Sequence, residues 1–256
     1  MLFAWIDEIQ RRNGIAGDIF EIGCHHGKSS ALLGAMVRMD RERLSVCDLF
    51  GDQDANISGS GSGDLETFKR NMSLIHQTLN LRIFDGNSRR LSTKEIGNSY
   101  RFFHIDGGHD YDEVLSDLRL AAASTIRDGV IVLDDPFQPE WPGVTEAVIR
   151  FLNEQEQYHA IAVGFNKLIV VRSENSNLYL AEFLRAEDRE SYGLSYPWNV
   201  KQLRFVGRPL QIFYVPTRLS GRPLIVLAAR YYQTHHWTRS QVIRPLIKAA
   251  KRLLRG

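Results

Sequence analysis

The chain has 256 residues, 43% hydrophobic and 24% charged, with 20 glycines, 8 prolines and two cysteines. That composition excludes disordered, collagen-like and disulfide-stapled classes and leaves room for one large domain, or a domain with an appendage. The formal net charge of +2 conceals an asymmetry, because residues 191–256 hold twelve Lys or Arg and no Asp or Glu, against 20 basic and 30 acidic residues before them.

In chain order, Leu2, Trp5, Ile6 and Ile9 share one helical face that ends at Asn13-Gly14. No basic residue precedes this short apolar stretch, so a secretory leader is not expected. Strand-like runs follow at Asp18–Ile22, Leu44–Cys47, Leu81–Phe84, Arg101–Ile105, Val130–Leu133, His159–Val163 and Leu168–Val171. Helical patterns separate them at Ser29–Arg38, Asp64–Leu79, Tyr111–Thr125 and Val144–Glu156. Strands alternating with helices call for a mostly parallel sheet covered on both faces. Gly164-Phe165-Asn166 is too short for a helical crossover, so the last two strands form an antiparallel hairpin. The expectation is an α/β domain over residues 1–174, with seven strands and a reversed final one.

Residues 175–256 are expected to form a basic C-terminal α+β extension that contacts substrate, membrane or a second copy of the chain. It has strand patterns at Gly207–Tyr214 and Arg222–Ala229. From Arg239, a helical stripe (Ile243, Leu246, Ile247, Ala250, Leu253, Leu254) is flanked by Arg244, Lys248, Lys251, Arg252 and Arg255. Such a helix either lies on an anionic membrane or packs its stripe on protein. The longest apolar run, Leu224–Ala229, is far short of the roughly 18–20 residues of a spanning helix. Two cysteines make no disulfide framework, and a cytoplasmic setting, peripheral at the membrane if the basic helix docks there, is the expectation.

In an open α/β sheet a ligand sits beyond the carboxyl ends of the strands. The first such turn here is Glu21-Ile22-Gly23-Cys24-His25-His26-Gly27-Lys28-Ser29. Gly23 and Gly27 let the backbone pass close to a ligand, although the same pair also makes a plain tight turn. Their spacing fits neither the Gly-x-Gly-x-x-Gly dinucleotide turn nor a Walker loop. Asp48, 21 positions beyond Gly27, is placed to accept hydrogen bonds from both hydroxyls of a ribose, or else to cap a loop. Asp85-Gly86-Asn87-Ser88 follows the third strand, and the Gly/Ser-rich Asn56–Gly63 is either a surface loop or a lid.

The fourth and fifth strands narrow the reading. They carry Ile105-Asp106-Gly107-Gly108-His109-Asp110-Tyr111 and Leu133-Asp134-Asp135. With these elements Gly17–Arg172 resembles the class I S-adenosylmethionine (SAM)-dependent methyltransferases, in particular the small-molecule group of macrocin-type and other sugar O-methyltransferases. The resemblance implies a Rossmann-like sheet, SAM as cofactor and O-methyl transfer to a sugar or other hydroxylated small molecule. It places Glu21, Gly23 and Gly27 along the cofactor's amino-acid moiety, Asp48 at its ribose, and Gly86 and Ser88 near adenine. It also makes Asp106, Asp134 and Asp135 ligands of a divalent metal. Some family members carry a basic His two positions beyond the Asp pair, where this chain has Phe137. Two other readings compete: a catalytically inactive binding module at an anionic membrane or glycan, and a nucleic-acid methyltransferase. The Asp-Pro-Pro-Tyr-type motif of the latter belongs where Asp106-Gly107-Gly108 stands, so no nucleic-acid partner is expected.

Three carboxylates converging on one sheet edge repel one another unless a cation compensates them. Hard oxygen ligands with open positions suit magnesium, which lowers the pKa of a bound hydroxyl. Asp106 is one candidate for the proton acceptor and His109, a better base near neutral pH, is the other. The adjacent pairs His25-His26 and His235-His236 are poorly placed to share one ion and are discounted.

Overall fold

The computed structural model describes residues 2–38, 41–52, 54, 56–59, 61–184 and 199–214. The strand expected at 222–229 and the basic helix over 239–256 lie outside the described residues. Among those described, no helix is long and apolar enough to cross a membrane.

Among the described residues, nine strands form one sheet: β1 (Asp18–Ile22), β2 (Leu44–Asp48), β3 (Leu81–Asp85), β4 (Tyr100–Ile105), β5 (Thr125–Asp134), β6 (Tyr158–Gly164), β7 (Lys167–Arg172), β8 (Asn199–Phe205) and β9 (Arg208–Tyr214). Their order is β3-β2-β1-β4-β5-β7-β6-β9-β8. The first five are mutually parallel, and β7 runs antiparallel to both β5 and β6. The seven expected strands and the reversed last one are therefore present. β5 starts earlier than its periodicity indicates: Thr125 already pairs with Tyr100, and an irregularity follows before Phe102 meets Val130.

Alternate residues along each central strand face opposite helical layers, as the pleat requires. Ile19, Phe102, Val130 and Val132 face the layer of α1 (Leu2–Arg12), α2 (Lys28–Met36), α3 (Leu65–Ile75) and α7 (Ser176–Leu184). Phe20, Phe103, Ile131 and Leu133 face α5 (Tyr111–Ser124) and α6 (Pro142–Glu154), on the side that also holds the short α4 (Thr93–Ile96).

The described part of the extension does not stand apart from this core. β9 pairs in parallel with β6 at Ala162↔Gln211 and Val163↔Ile212, so the sheet continues through residues assigned beforehand to an appendage. Trp5 of α1 packs edge-on against Phe183 of α7 at 4.7 Å and tilted against Phe213 of β9 at 5.6 Å. Aromatic burial of this kind ties α7 and β9 to the N-terminal helix.

Arg101 of β4 fastens α1 to the sheet. Its guanidinium is fully buried and donates to Glu42 through Nε and Nη2, both at 3.0 Å, and to Gln10 Oε1 at 2.6 Å. Asp7 completes the cage with an ion pair at 2.9 Å, and Gln10 returns a hydrogen bond to the Arg101 carbonyl at 2.7 Å. A buried cation of this type is tolerable only with such partners. Replacing Arg101 by Met leaves the buried Glu42 carboxylate without its main partner and is expected to destabilise the fold by about 3–5 kcal/mol in urea denaturation. A loss below about 1 kcal/mol would show that the cage does not hold α1.

Candidate functional site

The carboxyl ends of β1 to β5 open into one cavity of about 990 Å³. Its wall includes Gly23, Asp48, Gly86, Asp106 and Asp134, one position from the end of each parallel strand in turn. Gly23 is obligatory there: it has φ +82°, and a Cβ would lie 1.8 Å from the Asp106 carbonyl oxygen. The ends of β1 and β4 thus approach as closely as backbone allows. Leu2 and Phe3 of α1 close one side, while Asn56, Gly61 and Gly63 of the Gly/Ser-rich loop close another, so that loop is a cavity wall.

At the β2 end, Asp48 is pinned by two backbone donors. His25 N–H reaches Oδ2 at 2.7 Å and Phe50 N–H reaches Oδ1 at 2.8 Å. The remaining lone pairs are those a diol would use. Gly86 and Ser88 also line the cavity. Glu21 and Gly27 do not. Glu21 is fully buried inside β1, where it accepts from the Ser30 hydroxyl and from His104 Nδ1 at 3.0 Å. Its side chain faces α2 and β4 in the strand interior, apart from the cavity wall where the cofactor's amino-acid moiety was expected. Gly27, at φ +89°, faces Phe68 and Met72 of α3 and serves the strand-to-helix turn instead.

Asp106, Asp134 and Asp135 do meet at the β4 and β5 ends, joined by His109 and by two residues the sequence reading passed over. Because β7 is antiparallel, its first residue lies at the same edge as the last residue of β5, and Asp134 pairs in register with Lys167. The Lys167 ammonium contacts Asp134 Oδ2, and Asn166 donates to both Asp134 Oδ1 (2.9 Å) and Asp135 Oδ1. His109 Nε2 is 3.0 Å from Asp135 Oδ2. Asp135 adopts φ +55° and donates its N–H to Asp134 Oδ1 at 2.9 Å. Such a left-handed conformation is costly outside glycine and tends to occur where geometry matters for function. Sequence had one signal for Lys167: a reversed last strand must begin at the edge where the parallel strands end.

Burial and then the negative charge of Asp134 push Asp106 well above the usual carboxylate range, with Lys167 opposing. Burial alone would raise Asp134 too, but Lys167 and His104 hold it below its ordinary value. Lys167 is itself held above its usual value, because Asp134 and Asp106 outweigh the effect of burial. The arrangement therefore sets a carboxyl with raised proton affinity beside a carboxylate and an ammonium that favour each other's charged forms.

Among the described residues, two groupings bring potential metal-ligating atoms within 4.8 Å of one another: His104, Asp106 and Asp134, and Asp106, His109 and Asp135. The expected trio of Asp106, Asp134 and Asp135 is not one of them. Trp141 stacks on the His109 ring at 4.5 Å with a 28° interplanar angle, giving the cavity a flat aromatic side. Phe137, at the position of the family's histidine, packs edge-on against Phe205 at 5.5 Å.

Compared with known proteins, residues 20–136 match the family described as a methyltransferase domain. The O-methyltransferase NovP shares the fold at a TM-score of 0.57 and 16% identity, over 67% of this chain and 78% of that one. CalS11, a TDP-rhamnose 3'-O-methyltransferase of calicheamicin biosynthesis, aligns at a TM-score of 0.47 and 17% identity, over 67% and 79%. No curated protein matches the chain in sequence.

Beneath Gly107, Asp117 of α5 is buried with neither carboxylate oxygen in hydrogen-bond geometry with a donor. Burial pushes its pKa up to about 7, against the pull of the nearby Ser88 hydroxyl. Since the unfolded carboxyl titrates near 3.8, the folded state holds this proton more tightly, and the group's contribution to stability falls as pH rises between those values. Asp117→Asn is expected to stabilise the protein by a few kcal/mol at about pH 8 and by little at about pH 4. Equal melting-point shifts at both pH values would refute the assignment.

Proposed function

We propose that this chain, whose residues 20–136 match a methyltransferase domain, transfers a methyl group from SAM to a hydroxyl oxygen of a sugar or similar hydroxylated small molecule. The observation that carries the proposal is the position of Asp106 and His109, two proton-accepting groups with ligand atoms within 4.8 Å of Asp135, on the cavity wall at the end of β4. The flat His109–Trp141 face suits the apolar face of a sugar ring, and the likeness to NovP in fold is in keeping with O-methylation.

Two residues of the cavity wall support a bound SAM. Asp48 has both oxygens anchored yet faces the cavity, and Gly23 brings bare backbone to the cavity wall, where a Cβ would strike the Asp106 carbonyl. SAM, when bound, supplies an electrophilic methyl whose bonding electrons return to sulfur as the new carbon–oxygen bond forms. The chain's own part is to orient the acceptor hydroxyl and take its proton, on Asp106 or on His109 held by Asp135.

Magnesium on Asp106, Asp134 and Asp135 meets a donor set that does not fit it. Magnesium requires near-octahedral oxygen ligands. Here every oxygen of Asp134 and Asp135 already accepts a bond from Lys167, Asn166, His109 or backbone. The proposal therefore includes no metal step.

Calorimetric titration with S-adenosylhomocysteine is expected to show one site, weakened roughly tenfold or more by Asp48→Ala through loss of about 1.5–3 kcal/mol of hydrogen bonding to the ribose. Absence of binding to the wild type would remove the cofactor assignment. Asp106→Asn is expected to keep that affinity while lowering methyl transfer by about 10²–10⁴-fold on a panel of glycosides and other polyols. Because Asp106 is shifted upward, the wild-type rate should rise with pH through a limb above the ordinary carboxylate range. An Asp106→Asn variant with unchanged rate would move the proton to His109.

A further inference from the structure

The cation that three converging carboxylates require is already in the chain. We propose that the Lys167 ammonium occupies the place of the divalent ion at this edge, making the centre a built-in, metal-independent one. Lys167 is a positioning residue in this account: it acts through Asp134 and Asp106 rather than on the methyl group. The inference rests on the methyl-transfer reading only for what the centre does; the presence of the cation rests on geometry alone.

Four observations support it. Lys167 sits opposite Asp134 in the β5–β7 register, so the backbone fixes where its side chain starts. Its ammonium contacts Asp134 Oδ2, and only 13% of the Lys167 side chain and 10% of the Asp134 side chain are exposed, a geometry in which a second cation nearby would be repelled. Asn166 clamps the two acidic neighbours through one amide nitrogen, and an amide N–H or an ammonium offers a metal ion no lone pair. Phe3 of α1 presents its ring 5.8 Å from the ammonium, an aromatic face that favours a cation at this place. The charged and titratable groups around Lys167 are Asp106 and His104 from β4, Asp134 and Asp135 from β5, and His109 from the loop after β4.

The arrangement has a chemical consequence. A bound metal ion would have activated the acceptor hydroxyl as a Lewis acid. A fixed ammonium does not coordinate the hydroxyl; it keeps Asp134 charged and leaves the proton to Asp106 or His109. General base catalysis then carries the activation.

Manganese is a direct probe, because its binding is read by electron paramagnetic resonance without any acceptor or cofactor. Wild-type protein is expected to bind Mn²⁺ no more tightly than about 1 mM, and Lys167→Met, which leaves the carboxylates uncompensated, at least roughly tenfold more tightly. Lys167→Gln serves in place of the Met variant if the latter does not fold, with thermal unfolding as the check. Stoichiometric Mn²⁺ binding by the wild type, or no gain in the neutral variant, overturns the proposal. With an acceptor in hand, methyl transfer is expected to keep its rate in EDTA; a loss restored by Mg²⁺ overturns the metal-independent centre while leaving methyl transfer itself established.

Discussion

A parallel sheet delivers the ends of all its strands to one edge, and in this protein those ends are acidic or glycine. Asp48, Asp106 and Asp134 arrive there because β2, β4 and β5 run in the same direction, with no further device needed to gather them. Gathering creates a charge problem that the sheet solves by reversing one strand. Only an antiparallel β7 puts the beginning of a strand beside the end of β5, and that beginning is Asn166-Lys167. The Asp134–Lys167 pair is thus a product of topology, and Asn166, one residue earlier, holds Asp135 from the same turn.

The same requirement, that a buried charge be matched, governs the opposite end of β4. Arg101 is enclosed by Asp7, Gln10 and Glu42, which come from α1 and from the approach to β2. This cage locates α1, and α1 in turn contributes Leu2 and Phe3 to the cavity wall. The N-terminal helix is therefore held by electrostatics at one end of the sheet and used at the other. Trp5, Phe183 and Phe213 extend the hold to α7 and β9, which ties the described part of the C-terminal region into the same core.

Backbone conformation at the cavity is as constrained as its charges. Gly23 allows β1 and β4 to touch, while His25 at φ +48° and Asp135 at φ +55° hold left-handed geometry without being glycine. His25 uses that turn to donate to Asp48, and Asp135 uses it to donate to Asp134. In both places local strain is offset by a hydrogen bond to a carboxylate that faces the ligand space.

What the sequence determined by itself is what repeats along the chain or sits at a strand end. The alternation of apolar runs, the three-residue Gly164-Phe165-Asn166 turn and the terminal aspartates define a mostly parallel sheet with a reversed last strand and an acidic edge, since period and turn length are local properties. Tertiary structure decided which strand the reversed one joins. The order β5-β7-β6 makes Lys167 the partner of Asp134, and no local pattern encodes that neighbour. It also decided that Glu21 faces His104 inside the sheet rather than the cavity, because in a strand buried on both faces the polarity of a residue does not reveal its direction. The joining of β9 to β6 is of the same kind: strand pairing is a long-range choice, settled by which edge is left open and which aromatic side chains fill the space beneath it.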